Sequence, residues 1–186
     1  MSRRTLLPLA LLVVLVACAT EQRPPRSADA ACFGARILSF QDLAAEVVIP
    51  EGERCDRGTF TVVFTRGADT LASLTETRDG TVGFIGTADV DGDGRGEFFV
   101  ATRSTDSTSR GALFAYTDAT GGIARLPLVA LDSSQLSGYA GNDRFGFGGA
   151  DQLVRAYPRA VGDSAWFGYS HGQQRWNAIS RPDWVR

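Results

Sequence analysis

From residue 36 onward the sequence is cut into short runs of β-branched and aromatic residues, almost every one fenced by Gly, Asp or Ser. The runs are Arg36–Phe40, Glu46–Ile49, Thr59–Thr65, Thr70–Thr75, Val82–Thr87, Phe98–Thr102, Ala112–Thr117, Ile123–Val129, Gln152–Tyr157 and Ala165–Tyr169. Turn signals such as Arg66-Gly67-Ala68-Asp69, Arg78-Asp79-Gly80 and Thr120-Gly121-Gly122 separate them. No window holds an i, i+3, i+4, i+7 apolar stripe for three turns, and Ser133-Ser134-Gln135 has the chemistry to cap one helical turn only. Ten short strands spaced roughly 8 to 14 residues apart predict an all-β domain, an antiparallel β-sandwich or small barrel-like sheet. A full propeller would repeat its loop motif in each blade, and the one acidic motif of this chain occurs once.

The N-terminus has different chemistry. Arg3 and Arg4 precede an apolar run from Leu6 to Ala17 that is too short to span a bilayer, the pattern of an export signal. Its end, Leu15-Val16-Ala17-Cys18, resembles the bacterial lipobox, in which the cysteine is acylated and becomes the new N-terminus. The resemblance implies a signal peptide over 1–17, lipidation at Cys18 and a tether over 18–31, with Ala19 indicating outer-membrane delivery facing the periplasm or the surface. Several acyl chains on one residue anchor stably, because each buried methylene contributes about 0.8 kcal/mol. The tether carries Pro24-Pro25 and Ser27-Ala28-Asp29-Ala30 and has no apolar period, so a single β domain is expected over 32–186.

With Cys18 assigned to lipid, Cys32 and Cys55 remain as an even pair in an oxidising compartment, and a disulfide between them is expected. Closing that loop would restrict the unfolded chain by about 3 kcal/mol.

Composition removes several chemistries. All 19 basic residues are Arg, so there is no Schiff-base or P-loop lysine. His171 is the only histidine, which rules out a zinc site built on two or three imidazoles. The net charge is −2 without a basic block, and loss of Arg3 and Arg4 with the leader takes it to −4, so no nucleic-acid partner is expected.

The densest acidic stretch is Asp89-Val90-Asp91-Gly92-Asp93-Gly94-Arg95-Gly96-Glu97. Carboxylates at alternate positions, glycines that allow a tight reversal and a closing acid place hard oxygens around a hard cation. An EF-hand would need its closing Glu at the position of Val100, so the helix-loop-helix form fails. The strand-like flanks make the stretch similar to the calcium loops of integrin-type β repeats. That resemblance implies Ca2+ held by Asp89, Asp91, Asp93, the Arg95 carbonyl and Glu97 in a structural role. A metal-free turn, with Asp side chains bonded to the backbone, is the other reading of the same residues.

Thr77-Arg78-Asp79-Gly80-Thr81, the acidic loop, Phe98 to Ser104 and Gly111 to Tyr116 together resemble the periplasmic inhibitors of invertebrate-type lysozyme. Gly138-Tyr139-Ala140-Gly141-Asn142-Asp143-Arg144-Phe145, Leu153 to Pro158 and Gly162-Asp163 are similar to a C-terminal pattern of related secreted bacterial proteins. In the inhibitors an S-G-x-Y loop plugs the lysozyme cleft. The matching positions are Ser107-Thr108-Ser109-Arg110, in which Ser107 agrees, Thr108 replaces the Gly and Arg110 the Tyr. Arg110 could pair with the acidic residues that lysozymes use, through charge-assisted hydrogen bonds.

The expected function is therefore an envelope lipoprotein that acts as a protein-binding module, a lysozyme inhibitor occluding the glycosidase cleft, with no catalysis of its own. The alternative is a calcium-stabilised β scaffold for glycan binding or envelope assembly. Its platform would be Trp166, Phe167, Tyr169, Trp176 and Trp184, aromatic faces that suit sugar rings, although such a set also serves as core packing. A third reading, a glycoside-acting enzyme, would rest on Asp143 and Asp151. His171, among aromatics, is expected at a packed or rim position.

Overall fold

A computed structural model of the chain describes residues 37–183. Twelve strands are present among them: β1 Ile37–Phe40, β2 Leu43–Val48, β3 Arg57–Arg66, β4 Asp69–Asp79, β5 Thr81–Ala88 and β6 Glu97–Arg103, then β7 Gly111–Ala119, β8 Gly122–Arg125, β9 Arg144–Phe147, β10 Leu153–Pro158, β11 Ser164–Ser170 and β12 Arg175–Ala178. They form three antiparallel four-stranded sheets, β1-β2-β3-β4, β5-β6-β7-β8 and β9-β10-β11-β12, each a meander in chain order. The first strands of successive sheets are neighbours, β1 beside β5 and β5 beside β9. The all-β antiparallel expectation holds, with three four-stranded sheets packed face to face around two cores.

Alternation along each strand explains the layering. Val47, Phe60, Val62 and Phe64 of the first sheet meet Phe98, Val100 and Tyr116 of the second in one core. Phe99 and Ala115 point the other way and meet Leu153, Tyr157, Phe167, Tyr169 and Trp176 of the third sheet. The run Phe98-Phe99-Val100-Ala101 is apolar without interruption because β6 is buried on both faces. Edge-to-face ring pairs, such as Phe64 with Phe98 at 5.4 Å, add directionality.

Two strands lacked a sequence signal. β9 reads Arg-Phe-Gly-Phe and β12 reads Arg-Trp-Asn-Ala, each four residues long and with polar or Gly positions that dilute the pattern. The run expected to reach Val129 ends as a strand at Arg125; Leu126, Leu128 and Leu131 pack on the second core from irregular chain. At Ser133–Gln135 the chain makes one turn, closed by the Leu136 amide donating to the Asp132 carbonyl at 3.0 Å. Its cap is the Asp132 carboxylate, which accepts from the Gln135 amide at 2.9 Å.

The Arg78-Asp79-Gly80-Thr81 stretch is a structural clamp. The Arg78 side chain is fully buried and donates to the carbonyls of Thr59, Cys55, Gly80 and Arg54 at 2.6–3.0 Å, which ties segment 53–59 to the β4–β5 turn. Gly80 has φ of +132°, and a Cβ there would lie 2.1 Å from the Arg103 carbonyl oxygen. The signal segment, Cys18, the tether, Cys32 and Trp184 lie outside the described residues, as does the Cys32–Cys55 pairing.

Candidate functional site

The connection from β6 to β7, residues 104–110, lies at one end of the second sheet with Ser107 and Arg110 exposed. Asp106 organises it from within. One carboxylate oxygen accepts from Ser104 Oγ at 2.9 Å, Thr108 Oγ1 at 2.6 Å, and the Thr108 and Ser109 amides at 2.9 and 3.0 Å. These hydroxyls first, and then the amides, hold the Asp106 carboxyl below the usual carboxylate range. Ser104 N to Arg110 O at 2.9 Å and Arg110 N to Ser104 Oγ at 2.8 Å close the base. A loop bonded in this way loses little conformational entropy when a partner docks.

The 138–145 segment is the platform for that loop. The Asn142 amide donates to the carbonyls of Thr108 and Ser109, both at 3.1 Å. Gly141 has φ of +79°, and a Cβ there would lie 1.4 Å from the Thr108 carbonyl oxygen, so any other residue would push the loop away. Beneath them Asp143 is buried. Its carboxylate accepts from the Gly111 amide at 2.7 Å, from Arg155 Nε at 2.7 Å and from the Tyr139 hydroxyl. Burial first, and then the bond to Asp143, pushes the Tyr139 hydroxyl up to about 12.

This arrangement decides the charge of the loop's surroundings. Asp143 is neutralised by Arg155, whose guanidinium lies 5.6 Å from the Phe145 ring centroid. Arg103 and Arg144 line a cleft of about 240 Å3 between β5, β6 and β9, together with Phe84, Thr102 and Phe145. Arg103 donates to the Asp143 carbonyl, and Arg103, Arg110 and Arg144 have no carboxylate partner among the described residues. Arg103 and Arg144 at the cleft and Arg110 at the end of the loop thus stand without a paired carboxylate among the described residues, with Asp106 the acid of the loop itself. Sequence reading singled out Ser107 and Arg110 and missed Arg103, Arg144 and the organising Asp106, although an Asp flanked by Ser104 and Thr108 is an Asx-turn signal.

The acidic loop joins β5 to β6 at the other end of β6, about 20 Å away at the rise of an extended strand. It does not touch the 104–110 loop directly. Asp89, Asp91 and Glu97 bring carboxylate oxygens within 4.8 Å of one another. Asp93 is drawn aside, because its carboxylate pairs with Arg95 Nη2 at 2.7 Å and accepts from the Arg95 amide at 2.8 Å. That amide, and then the guanidinium, holds Asp93 below its ordinary range. Asp89 bonds inward to the amides of Gly92, Asp93 and Gly94 at 2.7–3.0 Å. Glu97 is fully buried and accepts from the Val90 amide at 2.8 Å and Thr117 Oγ1 at 3.2 Å. Burial above all, aided by the charges of Asp91 and Asp93, pushes its carboxyl up to about 7 against the pull of the Val90 bond.

The equivalent connections of the other sheets reach the same end of the fold: Gln41, between β1 and β2, donates to the Gly94 carbonyl at 2.9 Å, and Gln152, before β10, shares a cleft with Asp91. His171, in the turn between β11 and β12, places Nε2 3.8 Å from Asp91 Oδ2. No spacing in the sequence links these two positions.

The remaining candidates separate. Phe167, Tyr169 and Trp176 are core residues, and Trp166 is half-buried, so they do not form a common exposed platform. Asp143 and Asp151 lie at opposite ends of β9, and the Asp143 carboxylate is already saturated with donors. The geometry does not bring them together as a catalytic pair.

No family model matches the chain, and no curated protein does either. Among solved structures, the chain is similar to PliI-Ah, a periplasmic lysozyme inhibitor of I-type lysozyme from Aeromonas hydrophyla, at 22% identity and a TM-score of 0.43, over 49% of this chain and 81% of that one.

Proposed function

We propose that the chain is an envelope lipoprotein, anchored through Cys18, whose 104–110 loop docks into the acidic cleft of a lysozyme-type glycosidase and occludes it. The observation that carries this reading is the internally bonded loop with Ser107 and Arg110 exposed, at the end of the sheet where Arg103 and Arg144 line a cleft, none of the three arginines having a carboxylate partner among the described residues. Glycosidase clefts of this kind hold a pair of carboxylates, so the charges are complementary and the inhibitor contributes no chemistry. Among the described residues of the aromatic set, Phe167, Tyr169 and Trp176 are buried and share no exposed face for a sugar ring.

The acidic loop is read as a structural cation site in which Asp89, Asp91 and Glu97 would hold Ca2+. Three converging hard oxygens, one of them on a buried carboxylate with a raised pKa, fit such an ion. Its positive charge would offset the repulsion within the loop and fix the β5–β6 connection. The Cys32–Cys55 disulfide belongs to the same proposal as a staple on the segment that Arg78 clamps.

The test is inhibition of an invertebrate-type lysozyme by the full-length chain. Wild type should inhibit with one-to-one stoichiometry, and Arg110→Ala should weaken inhibition by roughly tenfold or more, as for loss of a charged contact in a docked loop. Failure of the wild type to inhibit would remove the reading.

A further inference from the structure

The β11–β12 turn brings a nitrogen donor to the acidic loop from a different sheet. His171 is held in a four-residue turn, its carbonyl accepting from the Gln174 amide at 3.0 Å. Its Nε2 lies 3.8 Å from Asp91 Oδ2, beyond hydrogen-bond distance. Its Nδ1 is buried and has no hydrogen-bond partner among the described residues. The imidazole therefore stands beside a carboxylate with neither nitrogen hydrogen-bonded among the described residues.

Tyr169 supplies an independent observation. It is 3% exposed, its hydroxyl has no hydrogen-bond partner among the described residues, and it lines the same cleft of about 270 Å3 as Asp91, Gln152 and His171. A buried polar group left unsatisfied costs about 1–3 kcal/mol, so its presence beside an unpartnered imidazole and a carboxylate points to a ligand.

We propose that His171 and Asp91, with Asp89 and Glu97, form a mixed nitrogen–oxygen site for a borderline divalent cation of the Zn2+ type at the junction of the second and third sheets. Two ligands bound to one zinc ion at about 2.0–2.1 Å in tetrahedral geometry stand about 3.4 Å apart, so the 3.8 Å between His171 and Asp91 closes with a small side-chain movement, while the imidazole, which lies outside the Asp89, Asp91 and Glu97 group whose oxygens are within 4.8 Å of one another, must swing further to share an ion with all three. The proposal rests on the cation reading of the acidic loop and alters its selectivity: imidazole suits zinc and similar ions, whereas Ca2+ takes oxygen ligands. Asp91 is the residue common to both ions. A bound ion would pin the β11–β12 turn to the β5–β6 loop, and so one end of the third sheet to the second.

The only histidine of the chain provides a direct readout, since its imidazole proton resonances need no assignment. Chelator-stripped full-length chain is titrated with Zn2+ and, separately, with Ca2+, by NMR and by calorimetry. Zn2+ should shift or broaden the His171 resonances at one equivalent, and Ca2+ should not broaden them. His171→Gln should weaken Zn2+ binding by at least about tenfold while Ca2+ affinity stays unchanged, and Asp91→Asn should weaken both. Imidazole resonances indifferent to Zn2+, or equal Zn2+ affinity in wild type and His171→Gln, overturn the proposal. If in that event Asp91→Asn still weakens Ca2+ binding, the acidic-loop site stands without His171. If no variant changes any affinity, both readings fall.

Discussion

Arg155 Nε donates to Asp143 Oδ1 across 2.7 Å, and the carboxylate that receives it is wholly buried. The same carboxylate accepts from the Gly111 amide at the start of β7 and from the Tyr139 hydroxyl. One charge thus fastens the end of the 104–110 loop to the third sheet. Asp143→Ala would strand Arg155 without its partner, and a cost of about 3–5 kcal/mol is expected, read as a shift of the urea midpoint. Adding Arg155→Leu should recover part of that loss. A double variant no more stable than Asp143→Ala would show that the pair is not the source.

Gly141 tests whether loop shape, rather than loop composition, carries binding. Gly141→Ala asks a residue with φ of +79° to fit a Cβ 1.4 Å from the Thr108 carbonyl oxygen, so the loop must move. The far-ultraviolet circular dichroism should stay that of a β protein, the stability should fall by about 1–3 kcal/mol, and lysozyme inhibition should weaken far more than stability does. Retained inhibition would separate the activity from the loop geometry.

Much of the architecture was legible because β-strands announce themselves by period and punctuation: Phe98-Phe99-Val100-Ala101 is apolar on both faces, and it proved to be the strand between two cores. Four-residue strands such as Arg144–Phe147 are too short to show a period, and sheet count depends on which faces stay dry, which sequence does not state. At the sites, local chemistry was readable and long-range chemistry was not. Asp89, Asp91 and Glu97 are neighbours in sequence and converge, while Asp93 is removed by its own neighbour Arg95. Asp143 belongs to a motif whose purpose appears only when Arg155 and Gly111 arrive from other strands. The approach of His171 to Asp91 is a product of sheet packing and left no trace in spacing.

The cluster of Arg103, Arg110 and Arg144 should appear in kinetics before it appears in affinity. Charges on the rim of an interface steer encounter, so the association rate with an acidic-cleft lysozyme should fall as salt rises, with dissociation little changed. Arg144→Ala should lower the association rate and flatten its salt dependence, because this side chain is exposed, lines the cleft at that end of the sheet and has no carboxylate partner among the described residues. Measurement is by surface binding at about 50 and about 500 mM salt, where the Debye length shrinks several-fold. A salt-independent association rate in the wild type would remove the electrostatic part of the docking model.

Glu97 should make the cation-free protein less stable as pH rises. Its carboxyl is pushed up to about 7 in the folded chain from an ordinary 4.5, chiefly by burial, so between those values the native state keeps a proton that the unfolded state releases. Stability on this account is highest below about pH 4.5, declines through the interval and levels off above about pH 7. Glu97→Gln keeps an acceptor for the Val90 amide without the charge. In chelator it should match the wild type near about pH 4 and exceed it by on the order of 3 kcal/mol near about pH 8, measured by denaturant unfolding at each pH. Added Ca2+ should raise the stability of the wild type at the higher pH and leave Glu97→Gln less affected, because only the wild type exchanges a proton for the ion at that oxygen. A difference between the two proteins that does not change with pH would mean that Glu97 ionises in the fold as freely as it does in water.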